Sequence, residues 1–195
     1  MNKYLTDFAR VISDCKFTNT YKMAWAKAII DLSILESQLQ FDRHGRVRFS
    51  LHQIAERFFH YYWNQTIFFD LVQGSNPSKP PTMISEVKAL IDTYQKISNN
   101  YFPIVCAKVD FVSLGLEKEV QDLLKVYIRT LKRDVAHRFT NLSSDSPKYL
   151  YILEDDAVTF SPDHIFIFRE NHSFLFPIAK HWKTIVFFRF WFQNH

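Results

Sequence analysis

Glycine is scarce: three occur in 195 residues, where an average chain of this length carries roughly 14. The phosphate-cradling loops GxGxxG and GxxxxGK[ST] are therefore excluded, because each needs glycines at fixed offsets that this chain lacks. Cysteine is scarcer still. Cys15 and Cys106 cannot build a CxxC metal site or a disulfide framework, which fits a reducing, cytoplasmic setting. No apolar run reaches the ~18 residues of a membrane span. The start, MNKYLTDFARVISD, has no unbroken apolar stretch of the kind a secretory signal needs. No membrane partner and no cofactor or metal is expected from these absences.

What is present is a globular composition. Apolar residues make up 47% and charged residues 23%, which excludes a disordered chain. The length suits one domain with a real core, with a possible internal boundary at the 141–147 loop. Net charge is +4, a lean toward anionic partners. Aromatic residues reach 17%, with twenty Phe, nine Tyr and four Trp. Most must be core, and a minority can serve as stacking platforms.

Periodicity predicts a mainly α, multi-helix domain of six or seven helices. Leu5, Phe8, Ala9 and Ile12 mark a first helix over 2–13. A second runs from about Thr20, a candidate cap, to Gln40. The turn Asp42-Arg43-His44-Gly45-Arg46 follows, with Gly45 supplying permissive backbone. Ser50 and Gln53 form a capping box, so a third helix starts at Leu51. It is expected to end near Gly74, before the Pro-rich loop up to Pro81. Helices over 82–97 and 116–138 come next, while 98–115 is ambiguous: Pro103 breaks it, and Ile104-Val105-Cys106 reads as either strand or helix. One small hairpin is expected near 148–160, with Glu154-Asp155-Asp156 as its three-residue turn. Ser161-Pro162-Asp163 then opens a helix, and another follows from about Pro177.

Two basic features are candidates for phosphate contact. Lys118, Lys125, Arg129, Lys132 and Arg133 fall along one face of the helix over 116–138. Phosphate tracking needs little more than charge at helical spacing, although an ordinary solvated face reads the same way. Arg43, Arg46 and Arg48 crowd the tight turn with His44. Tyr62 and Trp63 lie nearby and can be either base-stacking rings or core. A third candidate surface is the aromatic C-terminus. Trp182, Phe188 and Trp191 stand in a segment unusually apolar for a chain end. It reads as a helix docked on the core or as a partner-binding surface.

Catalytic constellations are incomplete. His164, Asn171 and His181 supply the letters of an HNH-type nuclease in order, but not its spacing or its flanking CxxC pairs. Glu86-Val87-Lys88 has the ExK pattern but lies in a helical repeat. Arg133 and His137 share a helix face at i, i+4. No catalytic residue is assigned.

Several segments together carry a resemblance. Thr20-Tyr-Lys-Met-Ala-Trp-Ala-Lys-Ala-Ile-Ile-Asp31 opens the second helix, and Ile54-Ala-Glu-Arg-Phe58 leads to Tyr62-Trp63-Asn64-Gln65. Gln73 and Pro80-Pro81 follow, and Asp134-Val-Ala-His-Arg-Phe139 precedes the hairpin. This order resembles the helical N-terminal region of bacterial HNH-endonuclease-domain proteins of the restriction or defence type, over about residues 1–190. Such proteins carry their nuclease module after this region, and none of its motifs occurs here. The resemblance implies a DNA-associated, non-catalytic helical domain whose partners are double-stranded DNA and a nuclease domain or other protein at the C-terminus. Two further readings stand beside it: a protein-interaction module working through the aromatic C-terminus, and a stand-alone metal-dependent nuclease using His164 or Arg133 and His137.

Overall fold

The computed structural model describes residues 2–13, 20–35, 37, 39–69, 80–139, 150–173 and 175. Its helices are α1 (Lys3–Ser13), α2 (Tyr21–Ile34), α3 (Leu51–Phe69), α4 (Thr82–Ser98), α5 (Glu117–Thr130), α6 (Ala136–Phe139) and α7 (Pro162–Glu170). The strands are β1 (Gln40–Phe41), β2 (Val47–Ser50), β3 (Ile152–Leu153) and β4 (Ala157–Phe160), in one antiparallel sheet of order β1-β2-β4-β3. The fold is mainly α with a small β element, as the periodicity predicts. The aromatic C-terminus, the end of the third helix and the 141–147 loop lie outside the described residues.

Local chemistry explains most boundaries. At α3 the capping box is formed in full: Gln53 N–H donates to Ser50 Oγ at 3.1 Å, and Ser50 N–H donates to Gln53 Oε1 at 2.9 Å. At α7 Ser161 Oγ accepts from His164 N–H at 3.3 Å, with Pro162 in the first turn. Thr20 departs from expectation. It precedes α2, but its hydroxyl lies 3.0 Å from that of Tyr62 and makes no capping bond.

The second helix also stops early, at Ile34 rather than near Gln40. The expected turn is the tip of a β1–β2 hairpin. Asp42 Oδ1 accepts from the N–H groups of His44 and Arg46 at 2.8 and 2.9 Å, and Gly45 takes φ +72°. The anticipated single hairpin is thus half of a four-stranded sheet. Central pairing sets Val47 opposite Phe160 and Ser50 opposite Ala157. Val47 and Phe49 point inward, leaving Arg48 on the outer face.

The helix expected over 116–138 is continuous but not uniform. Between α5 and α6 the chain makes a π turn, Leu131–Val135. Tyr127, Leu131, Val135 and Phe139 are spaced four apart, and all are buried. In an ordinary α-helix three such steps swing the stripe by about 120°. The wider π turn absorbs that drift, so the four side chains stay on the core.

The aromatic surplus is spent mainly inside. Phe8, Phe139, Tyr151, Phe160 and Phe168 form a chain of rings across α1, α6, β4 and α7. Trp63 packs edge-on to Phe59, Tyr94 and Phe111, and its Nε1–H donates to the Ile104 carbonyl at 3.0 Å. Residues 98–115 are mostly irregular, with one 3-10 turn at Cys106–Lys108. Burial pushes the Cys106 thiol up to about 12, so it behaves as a small apolar side chain.

Candidate nucleic-acid interface

The helical stripe is on the surface. Lys118, Lys125, Arg129, Lys132 and Arg133 are all exposed, opposite Leu123, Leu124 and Tyr127 in the core. Charge is unevenly spread along it. Glu117, Glu119 and Asp122 surround Lys118 at the N-terminal end, whereas Lys125, Arg129, Lys132, Arg133 and Arg138 follow with Asp134 as the one acid among them. This division suits the helix dipole, and it moves the cationic centre of the stripe to residues 125–138.

Several of these cations already have carboxylate neighbours. Lys125 pairs with Asp122 at 2.8 Å, and Arg133 with Asp134 at 2.7 Å. The Arg133 guanidinium holds the Asp134 carboxyl below its usual range. Arg129 turns its Nε–H toward the Lys125 carbonyl. Such solvent-exposed pairs contribute about 0–1 kcal/mol each, so a phosphate can replace the carboxylate at little cost.

The β1–β2 arginines occupy different settings. Arg43 donates to the His44 ring at 3.1 Å and is exposed. Arg46 is tied to Asp42 at 2.6 Å and approaches Glu154 at 3.9 Å. Arg48 reaches Asp156 at 2.6 Å and Glu154 at 3.4 Å. Lys132 pairs with Asp155. The acidic 154–156 turn is therefore the meeting point of the two basic features. Three consecutive carboxylates bring Arg46 and Arg48 of the sheet beside Lys132 of the π turn, more than eighty residues later. Sequence reasoning missed this junction because nothing local marks it; it depends on β2 pairing with β4.

Of the two readings of Tyr62 and Trp63, core packing is the one observed. Tyr62 and Trp63 are fully buried and cannot reach a base. Their rings fill the α3 core, where α4 and α5 also pack. Exposed aromatics among the described residues include Phe41, Phe68, Phe69 and Phe166 and, on one loop, Tyr101 and Phe102, the latter at 83% exposure. Their loop is fixed by Asn100 Oδ1, which accepts from Phe102 N–H at 3.0 Å. Asn99-Asn100 adds a loop signal to the break expected at Pro103.

Of the nuclease letters, His164 and Asn171 are described, and each is engaged by its own neighbours. His164 stacks on Tyr4, ring centroids 3.6 Å apart, and its Nδ1 is buried with no hydrogen-bond partner. Asn171 Nδ2 donates to the Ile167 carbonyl, and His181 lies outside the described residues. Glu86 and Lys88 lie in α4. Among the described residues no group of three or more His, Cys, Asp or Glu side chains is placed to hold a metal ion, and no helix is long and apolar enough to cross a membrane. Trp182, Phe188 and Trp191 lie outside the described residues.

His164 carries a stability prediction. Burial lowers its pKa, against a raising effect from Asp163. His60 shifts the same way, through burial and then Arg57, opposed by Glu56. The unfolded chain then binds more protons than the folded one just below pH ~6.5, so stability is full above that point and falls as pH drops through it. Thermal unfolding between about pH 7.5 and about pH 5 should show this decline. His164→Phe, which keeps a ring on Tyr4, should flatten it. An unchanged pH profile in the variant would remove His164 from the account.

Residues 2–193 match one family, described as Domain of unknown function (DUF8808). No curated protein and no solved structure matches the chain.

Proposed function

The chain belongs to that family, whose description names no activity, and we propose from its charged surface that it is a non-catalytic DNA-binding domain. The observation that supports this reading is the convergence of the two basic features. Arg46 and Arg48 meet Lys132 at the 154–156 turn, and Arg129 and Lys125 precede Lys132 as exposed residues of α5. Such a surface neutralises backbone phosphates without reading sequence. Association with a nuclease or defence system, a bacterial cytoplasmic setting and a C-terminal protein partner rest on the resemblance and the sequence alone.

The test is fluorescence anisotropy with a labelled duplex of about 30 base pairs, at about 50 and about 200 mM salt. Some four phosphate contacts give a slope of roughly −3.6 in log K against log salt, or about a hundredfold loss between these conditions. Binding of micromolar strength at low salt with that dependence is the expected result. Absence of binding at low salt would reduce the stripe to a solvated face.

A further inference from the structure

We propose that the acidic turn Glu154-Asp155-Asp156 is a built-in competitor for phosphate, restraining polyanion binding at the face where Arg46, Arg48 and Lys132 converge. The inference rests on the DNA-binding reading and adds a regulatory element to the same surface. Each carboxylate of the turn sits on a cation: Glu154 on Arg48 and Arg46, Asp155 on Lys132, Asp156 on Arg48. The groups joined by ion pairs at the turn are Arg46, Arg48 and Lys132 with Asp42, Glu154, Asp155 and Asp156, three positive charges against four negative, a net of −1. Without the three turn acids the same group would carry +2.

The turn is fixed in this position. Leu51 N–H donates to the Asp156 carbonyl at 2.7 Å, and Glu154 N–H to that of Ala157 at 2.8 Å. Thr159 Oγ1 donates to Glu154 Oε1 at 2.6 Å. These bonds hold the backbone, but they do not require a carboxylate at Asp155, whose side chain is 91% exposed. An ion pair this open to water adds little to folding. Its field nonetheless extends about 10 Å at 0.1 M salt, far enough to oppose an approaching phosphate. The acid at Asp155 therefore acts more on what binds than on whether the chain folds.

The experiment compares the full chain with Asp155→Asn, with Asp92→Asn on α4 as a variant of equal charge change, in the duplex anisotropy assay. Asp155→Asn should tighten binding about fivefold and steepen the salt slope by about 0.9, the gain of one phosphate contact. Asp92→Asn should change affinity less than twofold, since exposed Asp92 lies on another element. A parent chain that binds weakly while Asp155→Asn binds at least fivefold tighter is the strongest support. Equal tightening by both variants, or none by Asp155→Asn while the parent binds, overturns this inference and leaves DNA binding standing. No duplex binding by any of the three at low salt overturns both. Glu154→Gln/Asp156→Asn, checked for folding by circular dichroism, should exceed the single variant because it releases Arg48.

Discussion

Trp63→Ala should lower the stability of the chain by about 3–5 kcal/mol, a large share of the roughly 5–15 kcal/mol available to a domain. The residue is fully buried and touches rings of α3, α4 and the loop before α5. Truncation opens a cavity where three elements meet, and those backbones cannot all collapse into it. It also strips the part-buried Ile104 carbonyl of the indole N–H that it accepts, which adds to that cost. For a chain of this size the melting temperature should fall by about 6–20 °C. Circular dichroism melting is sufficient to see it. A base-stacking tryptophan would behave in the opposite way: truncation would spare stability and weaken nucleic-acid binding. That outcome would overturn the placement of Trp63 in the core.

The second large effect is on affinity. Lys125→Glu/Arg129→Glu removes two cations and adds two anions at the centre of the basic half of the helix. Each lost phosphate contact removes about 0.9 from the salt slope, so the variant should be shallower by about 1.8. Affinity at low salt should drop by more than about tenfold, since the new carboxylates also repel the duplex. Stability should change by less than about 1 kcal/mol, because both side chains are exposed and the Lys125–Asp122 pair is solvated. Lys118→Glu provides the contrast. It lies among Glu117, Glu119 and Asp122, so its reversal should matter much less than either C-terminal site. Equal effects of Lys118→Glu and the double variant would mean that total charge, not a localised face, governs binding.

Elements governed by neighbours in the chain were legible in the sequence. The capping box at Ser50 and Gln53 placed the start of α3 at Leu51, and Ser161-Pro162 placed that of α7. The 154–156 turn was legible from β-rich flanks with acids between. Elements governed by distant partners were not. Leu35 and Leu39 continue the i+4 pattern of α2 and conceal its stop at Ile34, because β1 is only two residues long and gains its identity from β2. The π turn follows from three successive steps of four after Tyr127, a pattern visible in the residues but easily read as an ordinary helix. At the interface, the cations were legible as residues and their setting was not. Whether Arg48 meets water or Asp156 depends on a strand pairing that spans more than a hundred residues.

That pairing has a consequence for how the chain is made. Residues 40–50 leave the ribosome early, yet the neighbour that completes their sheet, β4 at Ala157–Phe160, emerges only after more than a hundred further residues. During that interval β2 is an unprotected edge, with Val47 and Phe49 lacking the strand that flanks them in the finished sheet. The sheet can close only late in synthesis, so a nascent chain halted before residue 150 would display a hairpin without its mate. The acids that neutralise Arg48 would also be missing, and the unfinished polypeptide would be more cationic at this surface than the mature one.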